Sequence, residues 1–351
     1  MGKKGVMKNI SITRYNMGVD FGSEQMDAKL AAQYEDGTRK ILFSRRFENK
    51  ETGFKNLDGW LKEKCRCKDV EIRISCETTG VYHERCCYFL DGLGYYVTVE
   101  VPSRVKSYKK SYGFNSRNDK IDATALAYMG LERNLCKWEP INSFYYELRM
   151  LTRYHQSVQE MHTSACNQLH AQQAGMRISE LVVKQLKANI ELYEKQLAEL
   201  ERAIEEKLTS EPEVKRKMEY TTKDMKGVGM MTVAVMLAET NGFSWFTNRR
   251  QVVKYAGYDI VEDQSGKRRG KTKISKKGNA HIRRALYFPA INLVTYNVKP
   301  FADKYERIFE RTRIKMKGYT ALQKDLLLML FTLWKNDQTF DPNYQNQQKK
   351  K

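Results

Sequence analysis

The sequence predicts an α/β domain followed by a mostly helical chain. Near the N-terminus, apolar segments with strand-like alternation are interleaved with segments of helical spacing, whereas residues 142–215 have the pattern of long, charged helices. Only six of the 351 residues are proline, which leaves room for such helices, and a hydrophobic content of 41% is enough for real cores. The length favours two or three domains. We place them at residues 14–135, 142–215 and 216–335, with a basic disordered tail at 336–351.

Strand and helix patterns alternate through the first block. They predict three strands, a helix, a strand, a helix, a strand and then helices, in that order. The predicted ranges are 15–21, 28–34, 40–47, 53–64, 70–76, 81–93 and 95–101, and one of the last helices is placed at 119–129. The first helix carries Phe54, Leu57 and Leu61 on one side, Gly94 ends the second helix, and Pro102 stops the last strand. This succession is that of a ribonuclease H-like domain.

Four acids occupy three places in this predicted domain. Asp20 ends the first strand, Glu77 ends the fourth, and Asp119 and Asp122 are three residues apart, so they share one face of a helix. Acids at the ends of apolar strands are poor core residues, but carboxylate oxygens are the ligands that Mg²⁺ prefers. Two such ions about 3.5–4 Å apart can clamp a phosphodiester under attack. The sequence therefore predicts a Mg²⁺ site, although a single strand-end acid is more often a solvated loop residue.

An apolar seam runs along the second block. Its residues recur every three or four positions, at Leu186, Ile190, Tyr193, Leu197, Leu200 and Ile204, with charged residues outside the seam. Because the apolar stripe is narrow, we favour an antiparallel or intermolecular coiled coil over a long helix packed on its own domain. The amphipathic segment before the seam could contact RNA or DNA. We expect this block to be a linker and an oligomerisation segment.

The third block begins with a glycine turn in front of a helix. Lys226-Gly227-Val228-Gly229 precedes the predicted helix at 232–239, and such a turn presents backbone N–H groups at the positive end of a helix, which suits phosphate. Helix-hairpin-helix modules bind DNA through this arrangement without reading sequence. Gly227 and Gly229 are therefore candidate nucleic-acid contacts, with an ordinary helix entry as the alternative.

The strongest feature of the third block is the basic segment, residues 264–284. It contains no acid and nine lysines or arginines, and glycines at 266, 270 and 278 keep its backbone accessible. We expect a folded phosphate-binding surface that continues into a helix at 279–294. Its candidate contacts are Lys267, Arg268, Arg269, Lys271, Lys273, Lys276, Lys277, Arg283 and Arg284. Ser265 is a candidate nucleophile, because nearby guanidinium groups lower the cost of its alkoxide; a plain hydrogen bond to phosphate is the alternative.

The overall charge indicates a polyanionic partner. The chain has 62 lysines and arginines against 42 acids, a net charge of +20 and a pI near 9.5. Such a field attracts nucleic acid and makes its binding depend on salt. At this excess, a merely basic surface without a nucleic-acid partner is the weaker interpretation.

Cysteine usage and the apolar runs predict the compartment. The seven cysteines lack the paired spacing of a zinc site, and Cys76, Cys86, Cys87, Cys136 and Cys166 stand among apolar residues, as buried thiols of a reducing compartment do. No apolar core of a signal peptide follows the N-terminus, and the longest apolar run is about half of what spans a bilayer. We expect a cytoplasmic, nucleoid-associated prokaryotic protein with no membrane partner.

Several motifs in linked order resemble one family. They are Gly18-Val19-Asp20, Cys76-Glu77-Thr78-Thr79-Gly80-Val81-Tyr82 and Asp119-Lys120-Ile121-Asp122-Ala123, then Gly227-Val228-Gly229, Tyr255-Ala256-Gly257, Gln264-Ser265-Gly266, Ile274-Ser275-Lys276-Lys277-Gly278-Asn279 and Arg283-Arg284-Ala285-Leu286-Tyr287. Over residues 15–300 the chain resembles the bridge-RNA-guided recombinases of bacterial insertion sequences. These are DEDD-type transposases with a RuvC-like domain.

The resemblance implies a site-specific DNA recombinase guided by a structured noncoding RNA, the bridge RNA. It implies that the four acids form the catalytic DEDD site, which binds Mg²⁺, and that Ser265 is the nucleophile of a C-terminal transposase domain. Ser275 matches a structural or phosphate-binding position. The RNA would pair with donor and target DNA, leaving the protein to bind backbone and shape. The resemblance also implies a homo-oligomer, a dimer or tetramer joined through the coiled coil, whose protomers share the site.

Two other functions remain open. One is a Holliday-junction-resolving nuclease in which metal-activated water attacks the phosphodiester and Ser265 only binds phosphate. The other is a non-catalytic RNA- or DNA-binding scaffold whose acids are solvated. A covalent protein–DNA adduct would separate the recombinase from the nuclease, and loss of Mg²⁺ binding on Asp20→Asn would argue against the scaffold.

Overall fold

The chain divides into two compact units. A computed structural model describes residues 11–65, 70–78, 80–113, 119–223, 225–262, 264–265, 268–270 and 272–341. Of Asp119, Lys120, Arg268 and Arg269 it describes the backbone only. The units are Met1–Pro140 and Ile141–Lys351, so the long helices that the sequence predicts as a separate block are part of the second unit.

A five-stranded sheet forms the centre of the first unit. Its strands are β1 (Ile12–Phe21), β2 (Gln25–Tyr34), β3 (Arg39–Glu48), β4 (Ile72–Glu77) and β5 (Tyr96–Glu100). Across the sheet they follow the order β3-β2-β1-β4-β5. The first three pair antiparallel, whereas β4 pairs parallel with both β1 and β5. This is the strand order of a ribonuclease H-like sheet, so the first unit has the RuvC-like sheet that the sequence predicts.

Four helices accompany the sheet. They are α1 (Glu51–Lys64), α2 (Glu84–Gly92), α3 (Pro102–Ser111) and α4 (Asp119–Glu132). The sequence prediction omits α3, because it takes Pro102 only as the stop of the preceding strand. Proline also suits the first turn of a helix, where its missing N–H would have no partner in any case, and Pro102 opens α3 in this way.

The central strand β1 is covered on both faces. Tyr15, Met17 and Val19 join the apolar core with α1 and α2, whereas Asn16 and Gly18 face α4. Five consecutive residues of β1 are therefore buried, which is usual for a strand with helices on both sides. As a result, the end of β1 is held by packing on two sides.

The second unit is mostly helical. Its helices are α5 (Ser143–Ala174), α6 (Glu180–Ser210), α7 (Pro212–Thr222), α8 (Met230–Thr240), α9 (Arg249–Ala256), α10 (Ala280–Ala285), α11 (Tyr287–Thr295), α12 (Phe301–Thr312) and α13 (Lys315–Asn336). Between α9 and α10 lie the short strands β6 (Ile260–Val261), β7 (Gln264–Ser265), β8 (Arg268–Arg269) and β9 (Lys273–Ile274). β6 pairs with β9 and β7 with β8, both antiparallel. The six helices from α8 through α13 all contribute residues to one apolar core.

The long helices α5 and α6 pack against each other in opposite directions. His155 Nε2 on α5 lies 3.4 Å from Glu201 Oε1 on α6. Two turns later on α5, His162 Nε2 lies 3.5 Å from Oε1 of Glu194, which is two turns earlier on α6. All six residues of the predicted seam are buried or half-buried, so the seam packs within the chain. A contact between protomers through this seam stays a prediction.

The helix predicted at 279–294 is wrong in one respect, since it is two helices. The chain turns at Leu286, between α10 and α11. Pro289 has no N–H to donate to the Ala285 carbonyl oxygen, so one helical hydrogen bond is missing at this point. The pattern of apolar spacing alone does not show this interruption.

The tail predicted from residue 336 is also partly wrong. Phe340 is buried, and its ring centroid lies 6.4 Å from that of Phe301. The chain after α13 therefore packs on α12 at least as far as Phe340. Residues 342–351 lie outside the described residues.

The burial of the cysteines and the apolarity of the helices can be compared with the predicted reducing compartment and the predicted lack of a membrane partner. Cys76, Cys86 and Cys87 are buried free thiols, as predicted, and the Sγ atoms of Cys76 and Cys87 are 3.5 Å apart. Cys136 is exposed, so its prediction as a buried residue is wrong; it follows the buried Leu135 in the irregular chain after α4. Within the described ranges, no helix has the length and apolarity that crossing a membrane requires.

Candidate functional site

Two of the candidate acids lie side by side at one edge of the sheet. β1 and β4 run parallel, with Val19 opposite Cys76. Asp20 and Glu77 are the next residues on the two strands, and both are half-buried. Because the carboxyl ends of parallel strands meet at the same edge, the two acids that the sequence predicts as ligands are neighbours.

Helix α4 brings a third acid to this edge. A Cβ atom at Gly18 would lie 2.1 Å from the carbonyl oxygen of Ala123 and 2.3 Å from the backbone nitrogen of Ala127. Glycine at this position therefore lets the helix lie directly on the backbone of β1. Asp122 precedes Ala123, so the packing of α4 on β1 sets its position relative to the two strand-end acids.

The edge carries an excess of negative charge. Burial, followed by repulsion from Asp122, raises the pKa of Glu77 above its ordinary value, and Lys109 acts in the opposite direction. The Lys109 ammonium is hydrogen-bonded to Asp122, and its side chain is only 13% exposed. Carboxylates that repel one another, with a cation already bound among them, favour positive charge at this place.

The donor chemistry of the edge fits a divalent metal ion. The available ligands are carboxylate oxygens, which suit Mg²⁺. Among the described side chains, no three His, Cys, Asp or Glu groups stand close enough together to hold an ion. The side chain of Asp119 is not described, but its backbone begins α4, one turn before Asp122. Asp20, Glu77 and Asp122 therefore lie toward the same edge of the sheet, but the three described carboxylates are not within metal-binding distance of one another. The backbone of Asp119 lies on the helix that carries Asp122.

A buried polar chain, which the sequence prediction omits, ties this helix to the strands. Asn16 Nδ2 donates to the carbonyl oxygens of Leu126 and Ala127 at 3.2 and 2.8 Å, and Ser75 Oγ donates to Asn16 Oδ1 at 3.0 Å. Thr98 Oγ1 donates to Ser75 Oγ at 2.9 Å. The chain fixes α4 to β1, β4 and β5 behind the acids. Its signal in the sequence is Asn16, a polar residue inside an apolar strand.

In the second unit, Ser265 lies on an exposed two-residue strand. β7 pairs with β8, and Ser265 stands opposite Arg268. Both residues of β7 are exposed. The candidate contacts Lys267 and Lys271 lie outside the described residues. The candidate nucleophile is therefore presented on the basic segment where a large substrate can reach it.

Ser275 has a different environment. Its Oγ donates to Asp259 Oδ1 at 2.5 Å, and its backbone N–H donates to the Asp259 carbonyl oxygen at 2.8 Å. The backbone N–H of Lys277 donates to Ser275 Oγ at 3.2 Å. These bonds engage the hydroxyl in holding the loop between β9 and α10, which is the arrangement of a structural serine.

The predicted phosphate-binding cations differ in their contacts. Arg283 donates to the carbonyl oxygens of Ala256 and Gly278 at 2.8 and 3.1 Å, so its guanidinium braces the loop. Arg284 forms an ion pair with Glu160 of α5. Lys273, Lys276 and Lys277 are exposed. Of this set, the three exposed lysines are the ones whose described side chains are open to an anion.

A buried carboxylate that the sequence prediction omits holds this region together. Arg153 of α5 donates to the two oxygens of Glu239 on α8 at 2.7 and 2.9 Å, and Asn279 Nδ2 donates to Glu239 at 2.6 Å. Burial alone raises the pKa of Glu239, but the bonds from Arg153 and Asn279 outweigh it and leave that pKa below its ordinary value. Asn279 Oδ1 also caps α10 by accepting from His281 and Ile282. We call these residues the Glu239 node.

The glycine turn before α8 serves two purposes. Gly227 has a φ of 91°, and a Cβ there would lie 2.7 Å from Cβ of Asn292 on α11, so this glycine permits close packing. Gly229 is the exposed residue that precedes α8, with open space around its Cα. Only Gly229 thus lies where a phosphate could approach the helix start.

Two family models match successive parts of the chain. Residues 17–175 match a DEDD-type IS110 transposase family. Residues 221–306 match the transposase IS116/IS110/IS902 family. The first match contains all four candidate acids, and the second contains the basic segment with Ser265.

Two known proteins are similar over most of the chain. The pilin gene-inverting protein of Moraxella bovis is 24% identical over 297 residues, which are 84% of this chain and 89% of that protein. The pilin gene-inverting protein of Moraxella lacunata is 24% identical over 327 residues, or 93% and 97% of the two chains.

Solved structures resemble the chain only distantly. RuvC of Thermus thermophilus in complex with a Holliday junction substrate is 12% identical, with a TM-score of 0.24 over 32% of this chain and 90% of RuvC. A second RuvC structure from this organism has a TM-score of 0.25 and 13% identity, with the same coverage. These scores are too low to decide a fold, which rests on the strand order of the sheet itself.

Proposed function

We propose that the chain cuts and exchanges DNA strands at specific sites through Ser265, assisted by Mg²⁺ at the four acids. The matches of residues 17–175 and 221–306 to IS110-type transposase families support a DNA recombinase or transposase. The observation that carries the proposal is the meeting of Glu77 and Asp122 at the sheet edge. Burial is the larger cause of the raised pKa of Glu77, and repulsion from Asp122 adds to it. Lys109 forms an ion pair with Asp122. Such an edge gains stability when a divalent cation binds.

In this proposal the Oγ atom of Ser265 replaces a DNA oxygen on the phosphorus atom of the phosphodiester. The Ser265 Oγ–phosphorus bond forms as the bond from phosphorus to the leaving DNA oxygen breaks, and the hydroxyl proton goes to the leaving oxygen. A hydroxyl group of the other DNA strand then attacks the same phosphorus, which joins that strand and returns the proton to Ser265. Mg²⁺, when bound, supplies stabilisation of charge on the phosphate oxygens. The exposure of Ser265 supports this role, because a DNA strand must reach it.

Binding in this proposal is carried by contacts with the DNA backbone. Lys276 and Lys277 are exposed cations of the basic segment, and Gly229 opens the start of α8 as a helix-hairpin-helix-like element would. Each neutralised phosphate releases counterions, so affinity is a sum over many cations and falls with salt. Loss of the Ser265 hydroxyl should therefore hardly change DNA affinity.

We further propose that a structured RNA selects the DNA sites. The support is a net charge of +20 together with a sequence that lacks the pattern of a known DNA-reading helix. The test is to sequence the RNA that co-purifies with the protein and to compare it with the DNA flanking the gene. Recombination should stop after ribonuclease treatment and return when that RNA is added. Recombination by protein that is free of RNA would refute the guidance.

The nucleophile is tested with end-labelled target DNA on a denaturing gel. Wild-type protein should give a slow band that contains protein and DNA, and Ser265→Ala should remove both this band and recombination. Ser275→Ala is the matched control, since it deletes a hydroxyl group that is already bonded to Asp259. It should retain the band, although its loop is weaker.

The outcomes separate the alternatives. A band that persists in Ser265→Ala, or one that disappears only in Ser275→Ala, would identify another nucleophile. DNA cutting without any covalent band in the wild type would favour the nuclease in which water attacks. Binding of DNA with no cutting, and no Mg²⁺ dependence, would favour the scaffold.

A further inference from the structure

A groove lies between β9 and the helices α12 and α13, outside every site predicted above except for Lys273. It has a volume of about 490 Å³, and four cations line it: Lys273 of β9, Arg311 of α12, and Lys317 and Lys324 of α13. No acid is among its lining residues. Three separate elements thus contribute the same sign of charge to one concave surface.

The four cations are unengaged in the described part of the chain. No described carboxylate lies within 4.0 Å of their nitrogen atoms, whereas two other lysines nearby are paired. Lys304 of α12 bonds to Asp325, and Lys299 lies 3.3 Å from Asp303. Asp325 of α13 therefore neutralises Lys304 of α12, whereas the cations of the groove remain available for an anion.

Part of the lining of the groove is apolar. Ile274 and Ile308 line it together with the cations, and the buried Tyr258 is also among its lining residues. The Tyr258 hydroxyl group donates to Gln323 Oε1 at 2.9 Å, so its polar atom is already satisfied. A lining of cations and apolar side chains suits a sugar–phosphate chain, because the cations bind phosphate oxygens while the apolar side chains contact carbon atoms of the sugar.

We propose that this groove binds the sugar–phosphate backbone of a DNA strand. Its volume accommodates a segment on the order of one nucleotide. β9 belongs to the basic segment, and Ile260 of β6, which pairs with Ile274 of β9, also lines the groove, so the groove is built partly from the segment that carries Ser265. The inference rests on the proposed function, because it extends the DNA contact of that surface to α12 and α13.

The first test removes charge from the groove. The double variant Lys317→Gln/Lys324→Gln is compared with Lys195→Gln/Lys299→Gln, which removes the same charge from two ion-paired lysines outside the groove. The probe is a 30-base-pair DNA duplex of arbitrary sequence, and its dissociation constant is measured over a range of salt concentrations. The slope of log affinity against log salt should become shallower by about 1–2 in the groove variant, since each phosphate contact contributes about 0.9. The control should keep the wild-type slope.

The second test needs no variant. Lysines of the wild-type protein are acetylated with and without the duplex, and the modified sites are identified by mass spectrometry. The DNA should protect Lys273, Lys317 and Lys324 several-fold more than Lys195. Wild-type protein that does not bind the duplex would refute the proposed function. Binding with equal reactivity of groove and control lysines, or protection by a single-stranded RNA alone, would overturn the groove assignment and leave the proposed function intact.

Discussion

Glu77 in the first unit and Glu239 in the second are both withdrawn from water, yet their surroundings differ. Glu77 stands beside another acid, and burial followed by repulsion from Asp122 raises its pKa. Glu239 is fully buried and accepts hydrogen bonds from Arg153 and Asn279, which lower its pKa although burial alone raises it. Lys109 compensates the first carboxylate only in part, whereas hydrogen bonds and positive charge outweigh the burial of the second.

This difference separates a site that needs a ligand from a structural contact. A buried charge persists in a fold when it is paired and hydrogen-bonded, as Glu239 is. A carboxylate shifted by a like charge is instead typical of a functional site. The first unit positions its acids with uncharged groups, Asn16 and Ser75, whereas the second uses the charged Glu239 node. Loss of an acid should therefore cost activity in the first unit and stability in the second.

The largest effect is expected from Glu77→Gln. Strand transfer should fall by about three orders of magnitude, equivalent to about 4 kcal/mol of transition-state stabilisation, because the change removes a proposed metal ligand but keeps the side-chain shape. The free energy of unfolding at pH 7 without metal should stay equal or rise, since one repelling charge is gone. Strand-transfer rates and urea unfolding measure the two quantities. Glu63→Gln, at a 66% exposed acid of the same unit, is the control and should resemble the wild type.

Glu239→Gln should act in the opposite way. It removes the charge that compensates Arg153 and should cost about 2–3 kcal/mol of unfolding free energy, less than a wholly buried pair because Arg153 is 46% exposed. The melting temperature should fall by about 4–12 °C. Glu194→Gln, whose side chain is 63% exposed beside His162, should change it little. A variant with wild-type stability but no catalysis would place Glu239 in the chemistry and remove the contrast.

The smallest effects are expected in the pH dependence of stability. The folded-state pKa of Glu77 is above its ordinary value of 4.5, so this group lowers stability as pH rises through the interval between the two values. The folded-state pKa of Glu239 is below 4.5, so its contribution is present above 4.5 and is lost as pH falls through the folded-state value. Any gain of Glu77→Gln should therefore vanish at acid pH, and the deficit of Glu239→Gln should shrink there. Urea unfolding from pH 3 to 8, without metal, checks both signs; parallel curves would contradict them.

The sheet was predictable because its signals are local. Short segments with strand-like composition identify all five strands, and acids at the ends of β1 and β4 follow from the same pattern. α3 was missed because Pro102 has two meanings, the stop of a strand and the first residue of a helix. The break at Leu286 follows from Pro289, which a search for helical spacing alone overlooks.

The Glu239 node was hidden for a different reason. Glu239 ends an apolar helix, where an acid is usually solvated, and its partners Arg153 and Asn279 are separated from it by 86 and 40 residues. Pairing at such distances depends on tertiary packing, which periodicity does not reveal. Asn16 could have been noticed, because a polar residue in the middle of an apolar strand must find buried partners. Its partners, the carbonyl oxygens of α4, could not have been named.

The contact at Gly18 determines how the sheet edge with the candidate acids can vary. The side chain of Gly18 is a single hydrogen atom, so α4 lies directly on the main chain of β1. The distance between the backbones that carry the strand acid and the helix acid is therefore set by main-chain packing and does not depend on a side-chain rotamer. Substitutions in loops and on the surface leave this spacing between β1 and α4 unchanged. One added carbon atom at position 18 would instead displace every group that the helix carries, together and in the same direction. Glycine at position 18 therefore fixes the geometry of the whole sheet edge.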